Sequence, residues 1–83
     1  MIDRQVSSAI VIPMSSTITI RVNGAASTIN QGWGLLDYLR AQGLPPQSVV
    51  VELNGQALSP SEFQGVSLKS NDVLEIVKIV AGG

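Results

Sequence analysis

The sequence predicts a small α+β domain in which a sheet of four or five strands packs on one helix. Three features predict this class: β-branched apolar runs, Asn-Gly pairs that favour tight hairpins, and one amphipathic segment that ends at a glycine. A chain of 83 residues has room for one domain with one sheet and one helix. The predicted element order is ββαββ with a short helical insert.

A β-hairpin is predicted at the start of the folded domain. Residues 17–22 alternate between apolar and polar side chains, which is typical of a half-buried strand. Asn23-Gly24 follows, and this pair favours a type I′ turn because both of its positions require a positive φ. Residues 25–30 are then predicted to return as the second strand.

A single amphipathic helix is predicted over residues 35–42. Its apolar residues Leu35, Leu36 and Leu39 are spaced to share one face, which we expect to contact the sheet. Gly43 stands where glycine commonly ends a helix, and two prolines follow shortly afterwards. The helix therefore covers one side of the predicted sheet.

The second half of the chain is predicted to complete the sheet. Residues 48–53 form the third strand, and a second Asn-Gly pair at 54–55 indicates another hairpin. Only a short strand fits at 57–58 before Pro60, which occupies the first position of a single helical turn. The β-branched run at 73–80 is predicted to be the last strand.

The outer face of the last strand is a candidate protein-binding patch. If Leu74 and Ile76 are buried against the helix, the residues between them point outward. A contiguous apolar patch beside a chain end indicates a surface for a partner, although the opposite assignment of the pleat stays open. The predicted patch consists of Val50, Glu75, Val77 and Ile79.

Composition excludes several classes of function. The chain has no cysteine and no histidine, so thiol catalysis, histidine-based triads, zinc fingers and iron–sulfur ligation are excluded and no metal site is predicted. Five basic and six acidic residues give a net charge of −1, which disfavours a nucleic-acid partner. No apolar span approaches the roughly 18 residues of a membrane helix, so we expect a cytoplasmic protein with no membrane partner.

The two chain ends carry separate predictions. Residues 1–16 are predicted to be a flexible extension of the folded domain at 17–80. Two alternatives stay open: an added edge strand or partner cover formed by this extension, and a natural start at Met14. Residues 81–83 are predicted to be a flexible tail, in which Gly82-Gly83 can enter a narrow space because neither residue has a side chain.

Four motifs in order carry a resemblance to a known family. They are Val22-Asn23-Gly24, Leu35-Leu36-Asp37-Tyr38-Leu39, Val51-Glu52-Leu53-Asn54-Gly55, and Asn71-Asp72-Val73-Leu74-Glu75-Ile76-Val77 leading to Val80-Ala81-Gly82-Gly83. In their order and spacing, residues 17–83 resemble the ThiS family, the ubiquitin-like sulfur carriers of thiamine biosynthesis. The N-terminal extension departs from the compact members of that family.

The resemblance implies a β-grasp fold, in which a mixed sheet wraps one helix, and a chemical role for Gly83. It implies that a ThiF-like adenylating enzyme uses ATP to activate the Gly83 carboxylate, while Val80, Ala81 and Gly82 thread the partner's channel. A persulfide sulfur donor then replaces AMP to leave a thiocarboxylate, and thiazole synthase accepts the sulfur. In this reading the chain is a protein co-substrate that binds no cofactor, and it is not an enzyme.

Two other functions remain compatible with these motifs. The small subunit of molybdopterin synthase shares the fold and the Gly-Gly end, but its family tends to carry an aromatic-Pro-Pro stretch where this chain has residues 77–80. That departure favours the thiamine pathway. A non-covalent β-grasp interaction module is the other alternative, because the fold alone does not determine function.

Overall fold

The computed structural model describes residues 16–80 of the chain. The strands and the helix, in chain order, are β1 Thr17–Val22, β2 Ala25–Asn30, α1 Leu35–Ala41, β3 Val49–Leu53, β4 Gln56–Leu58 and β5 Val73–Lys78. They form one five-stranded sheet in the order β2-β1-β5-β3-β4. β1 and β5 are parallel, and every other neighbouring pair is antiparallel, so the sheet is mixed. The predictions made for residues 1–15 and 81–83 lie outside the described residues.

Both predicted Asn-Gly hairpins are confirmed. Asn23 and Asn54 have φ values of 51° and 52°, and Gly24 and Gly55 both have a φ of 86°. Two consecutive residues with positive φ define the type I′ turn, whose twist matches that of the flanking strands. The turns therefore set the antiparallel register of β1 with β2 and of β3 with β4.

The last strand is shorter than predicted. β5 ends at Lys78 instead of Val80, because β3 begins at Val49, the residue that pairs with Lys78. The chain before Val49 is a 3₁₀ helix, Pro46–Ser48, which cannot continue a ladder. The N–H of Ile79 still donates to the carbonyl of Ser48 at 2.8 Å. The strand therefore ends where its partner ends, although its sequence remains β-branched.

The buried face of α1 differs by one residue from the prediction. Leu35 and Leu39 are fully buried as predicted, but Tyr38 takes the third buried position and Leu36 is only partly buried. Positions i, i+3 and i+4 share one helix face, which places Leu36 at its flank. Gly43 follows the helix with a φ of 71°, as expected for a helix-ending glycine. Within residues 16–80 no helix is long and apolar enough to cross a bilayer.

One core holds the helix against the sheet and the connecting segments. Its fully or nearly buried residues are Ile20, Ile29, Leu35, Tyr38, Leu39, Val49, Val51, Phe63, Leu68, Leu74 and Ile76. Gly34 fixes the start of α1, since its N–H donates to the Asp37 carboxylate at 2.8 Å. A Cβ at Gly34 would lie 2.8 Å from the carbonyl oxygen of Val66. The helix start therefore lies against the backbone of Val66, which leaves no room for a side chain at Gly34.

Candidate functional site

The outer face of the sheet carries the predicted patch as one contiguous surface. Val50 and Val77 lie directly opposite each other on β3 and β5. Their exposed fractions are 50% and 62%, and Ile79 is 55% exposed. Glu75 is exposed on the same face, two residues before Val77. The predicted orientation of the last strand is therefore confirmed, while the binding role of these residues stays a prediction. We call Val50, Glu75, Val77 and Ile79 the outer patch.

The opposite face of the same two strands anchors the outer patch to the core. Leu74 and Val51 have no exposed surface, and Ile76 and Val49 are 8% and 3% exposed. Because neighbouring side chains alternate between faces, Val50 and Glu75 each stand between two core residues of their own strand. The part of the outer patch on β3 and the first half of β5 therefore rests directly on the packed core.

Two carboxylates border the apolar part of the outer patch. Glu52 lies directly opposite Glu75 in the β3–β5 register, and both residues are exposed. In the described part of the chain neither glutamate forms a salt bridge; Arg40 and Asp37, 3.7 Å apart on α1, form the ion pair there. Like charges facing each other across strands are unfavourable for folding. The pair gives the patch an acidic border that suits a basic group on a partner.

Asn23 has a structural role that the sequence did not reveal. The N–H of Ile76 donates to Asn23 Oδ1 at 2.8 Å, and Asn23 Nδ2 donates to the Ile76 carbonyl at 3.1 Å. The two residues are 53 positions apart in the chain, and no local pattern signals their contact. The Asn-Gly motif indicated only the turn. Asn23 therefore supports β5 at the point where β1 has ended.

The chain leaves the sheet next to the outer patch. Val80 is the last described residue and is 84% exposed. The predicted tail residues that follow it, Ala81, Gly82 and Gly83, lie outside the described residues, so their roles stay predictions. The hydrogen bond from Ile79 to Ser48 holds the backbone in place up to the residue before Val80.

The polar side chains of residues 16–80 all lie at least partly at the surface. In this part of the chain no polar or charged side chain is buried, and no group of acidic residues is arranged to hold a metal ion. A cleft of about 420 Å³ lies at the C-terminal end of α1 and is lined mainly by Leu36, Leu39, Leu44, Pro45 and Pro46.

Comparison with known proteins gives consistent matches to one family. A family model described as the ThiS family matches residues 17–83. The crystal structure of the thiamine biosynthesis protein ThiS from Geobacter metallireducens is 29% identical, covers 80% of this chain and 100% of that chain, and has a TM-score of 0.68. The solution structure of a thiamine biosynthesis protein from the same organism is 29% identical, covers 80% and 88% of the two chains, and has a TM-score of 0.67.

A more distant likeness concerns the fold alone. A designed protein based on human erythrocytic ubiquitin is 20% identical, covers 82% of this chain and 96% of that chain, and has a TM-score of 0.50. No curated protein sequence matches the chain. The mixed five-stranded sheet on one helix is therefore the ubiquitin-like β-grasp fold that the sequence predicted.

Proposed function

The chain belongs to the ThiS family, and from this premise we propose that it is a sulfur carrier of thiamine biosynthesis that holds sulfur as a thiocarboxylate on Gly83. The observation that carries the proposal is the extent of the family match, which includes the two terminal glycines. The ThiS protein from Geobacter metallireducens is matched over its whole length, which supports the same function. The outer patch and the exit of the chain beside it suit a protein that acts through partners.

The proposed chemistry turns a poor electrophile into a sulfur nucleophile. An oxygen of the Gly83 carboxylate attacks the α-phosphorus of ATP and expels pyrophosphate, which gives an acyl-adenylate. The terminal sulfur of a persulfide donor attacks the activated carbon and expels AMP. A thiol then cleaves the resulting S–S bond and releases the thiocarboxylate, which delivers its sulfur to thiazole synthase. The partner enzymes supply catalysis and ATP, and this chain supplies the substrate carboxylate.

The proposal gives each part of the C-terminal region a separate task. Gly82 and Gly83 have no Cβ, so they fit a channel that is too narrow for larger residues. Val80 and Ala81 thread the part of that channel that leads to the two glycines. The outer patch docks on the ThiF-like adenylating enzyme and aims the tail. Because the reaction consumes ATP, the proposal assigns the chain to the cytoplasm.

ATP–pyrophosphate exchange tests the adenylation step. With labelled pyrophosphate, the ThiF-like enzyme of the same organism should incorporate label into ATP only when this chain is present. A non-covalent interaction module would bind without supporting exchange, so a stable complex with no exchange contradicts the proposal. Co-purification with thiazole synthase is expected, and co-purification with the large subunit of molybdopterin synthase instead would move the chain to the other pathway.

A further inference from the structure

Among residues 16–80, the backbone of Lys78 forms a short strand edge that has no partner. β5 has β1 as a neighbour only at its beginning, since the parallel pairing stops at Leu74. The side chain of Asn23 then occupies the same side of β5 at Ile76. Beyond Ile76, no described residue pairs with β5 on this side. Within residues 16–80, β5 is therefore a central strand at its start and an edge strand at its end.

The hydrogen bonds on either side show which way the Lys78 backbone points. Ile79 donates its N–H to Ser48, on the side of β3, whereas Ile76 meets Asn23 on the opposite side. In a strand, successive residues direct their N–H and C=O groups to opposite sides. Lys78 is two residues after Ile76, so its N–H and C=O point away from β3. No residue in the described part of the chain bonds to either group.

We propose that an extended segment of the adenylating enzyme adds to this edge and pairs with the N–H and C=O of Lys78. The inference rests on the proposed function, because it names how that partner holds the chain. Addition of a strand to an exposed sheet edge is a recurrent mode of recognition, in which main-chain hydrogen bonds supply affinity. Lys78 precedes Gly83 by five residues. Docking at Lys78 thus brings the reacting carboxylate within about 17 Å of the paired edge, the reach of an extended chain of that length.

The charge of Lys78 favours this partner over a second copy of the chain. Its side chain belongs to the same face as Leu74 and Ile76 but is exposed, because the core ends before it. A lysine on an edge strand discourages edge-to-edge pairing between identical molecules. Two-fold antiparallel pairing centred on Lys78 would set two ammonium groups opposite each other. An enzyme segment with an acidic residue at that position meets no such repulsion, so we assign the edge to a partner strand that carries one.

Amide hydrogen exchange of the full chain tests the pairing directly. In the free chain we expect the Lys78 N–H to exchange rapidly and the Ile79 N–H, bonded to Ser48, to be protected. Saturation with the adenylating enzyme and ATP should slow exchange at Lys78 by at least about tenfold. Rapid exchange at Lys78 in the saturated complex would overturn the proposal. Protection of Lys78 in the free chain would also overturn it, because residues 1–15 of the same chain or, if the protection grows with concentration, a second copy would then occupy the edge.

Proline substitution provides a second, independent test. Lys78→Pro removes the donor and should weaken binding to the enzyme by at least about tenfold. Its melting temperature should stay close to that of the parent, since proline is tolerated where the N–H of an edge strand faces outward. Lys78→Ala keeps the N–H and should lose less affinity than the proline variant. Parent-like affinity of a folded Lys78→Pro chain contradicts the pairing, and if this variant does not fold, the exchange experiment decides.

The same samples separate failure of this inference from failure of the proposed function. ATP–pyrophosphate exchange with the parent chain reports whether the enzyme adenylates it. If ATP–pyrophosphate exchange occurs while the Lys78 amide stays unprotected, the strand pairing is wrong and the sulfur-carrier function stands. If the enzyme neither binds the chain nor catalyses ATP–pyrophosphate exchange with it, both proposals are overturned.

Discussion

The side-chain amide of Asn23 pairs with the backbone of Ile76 as a neighbouring strand would. It accepts the Ile76 N–H at 2.8 Å and donates to the Ile76 carbonyl at 3.1 Å, although Asn23 itself belongs to a turn with φ of 51°. One residue therefore closes the first hairpin and extends the sheet beside the last strand. This arrangement secures β5 just before the segment that we propose as the docking edge.

Replacing this amide should destabilise the domain more than the equivalent change in the second hairpin. Asn23→Gly keeps the positive φ but removes two partly buried hydrogen bonds, and we expect a loss of roughly 2 kcal/mol in the free energy of unfolding. Asn54→Gly is the matched control, because the Asn54 side chain makes its bonds to Val73 and Asp72 at exposed positions. Urea denaturation of both variants measures the difference, and equal losses would show that burial of the Asn23 contacts is unimportant.

Adding a methyl group at the helix start should also destabilise the domain. In Gly34→Ala the new Cβ would lie 2.8 Å from the Val66 carbonyl oxygen, so the backbone of the loop must move. We expect a loss of about 1–3 kcal/mol, measured by thermal or urea unfolding. Gly65→Ala is the control, since its Cβ would meet nothing within 4 Å and should change stability by less than about 0.5 kcal/mol. A neutral Gly34→Ala would mean that the loop after Phe63 yields easily.

The parts of the fold that were predictable from sequence are those governed by local conformation. The Asn-Gly turns require a positive φ at two consecutive residues, and asparagine followed by glycine is the pair that favours this conformation. The end of β5 depends on where β3 begins, and therefore on Pro46–Ser48 about 30 positions earlier in the chain. Gly34 likewise became informative only when Val66 was found beside it. Contacts between distant segments decide these features, and one sequence does not display them.

Relieving the repulsion between Glu52 and Glu75 should stabilise the domain. Glu52→Arg places an opposite charge directly across from Glu75, and we expect a gain of about 0.5 kcal/mol in the free energy of unfolding. Glu52→Gln is the control, because it removes the repulsion without adding attraction and should gain less. Urea denaturation at low and high salt measures both effects, and the gain should shrink at high salt. Destabilisation by Glu52→Arg in low salt would show that the two side chains do not interact as the register indicates.

A charge in the outer patch should weaken partner binding more than it weakens the fold. Val77 is 62% exposed, so Val77→Lys should leave unfolding nearly unchanged while lowering affinity for the adenylating enzyme by at least about tenfold. Ala26→Lys is the matched control, because Ala26 is exposed on β2, two strands away from β5. Calorimetric titration with the enzyme measures both variants. Equal affinities of the two lysine variants would remove Val77 from the docking surface.

The candidate site was predictable to the extent that it follows strand periodicity. Alternation along β5 correctly separated Leu74 and Ile76 from Val77, because one face of the strand must be buried. The opposition of Glu52 and Glu75 depends on register across two strands, which sequence did not specify. The role of Gly83 is proposed from membership of the ThiS family.

The most direct test of the central claim is the intact mass of the full chain after incubation with the ThiF-like adenylating enzyme, ATP, a persulfide donor and a thiol. We predict the mass gain of one oxygen-to-sulfur exchange, which fragmentation should locate at Gly83. A chain that lacks Gly83 should gain no mass and should melt like the parent, because the core residues that the structure describes run from Ile20 to Ile76. A ThiS protein that the same enzyme loads serves as the positive control. An unchanged mass for the full chain, in a mixture where that control gains sulfur, would contradict the account.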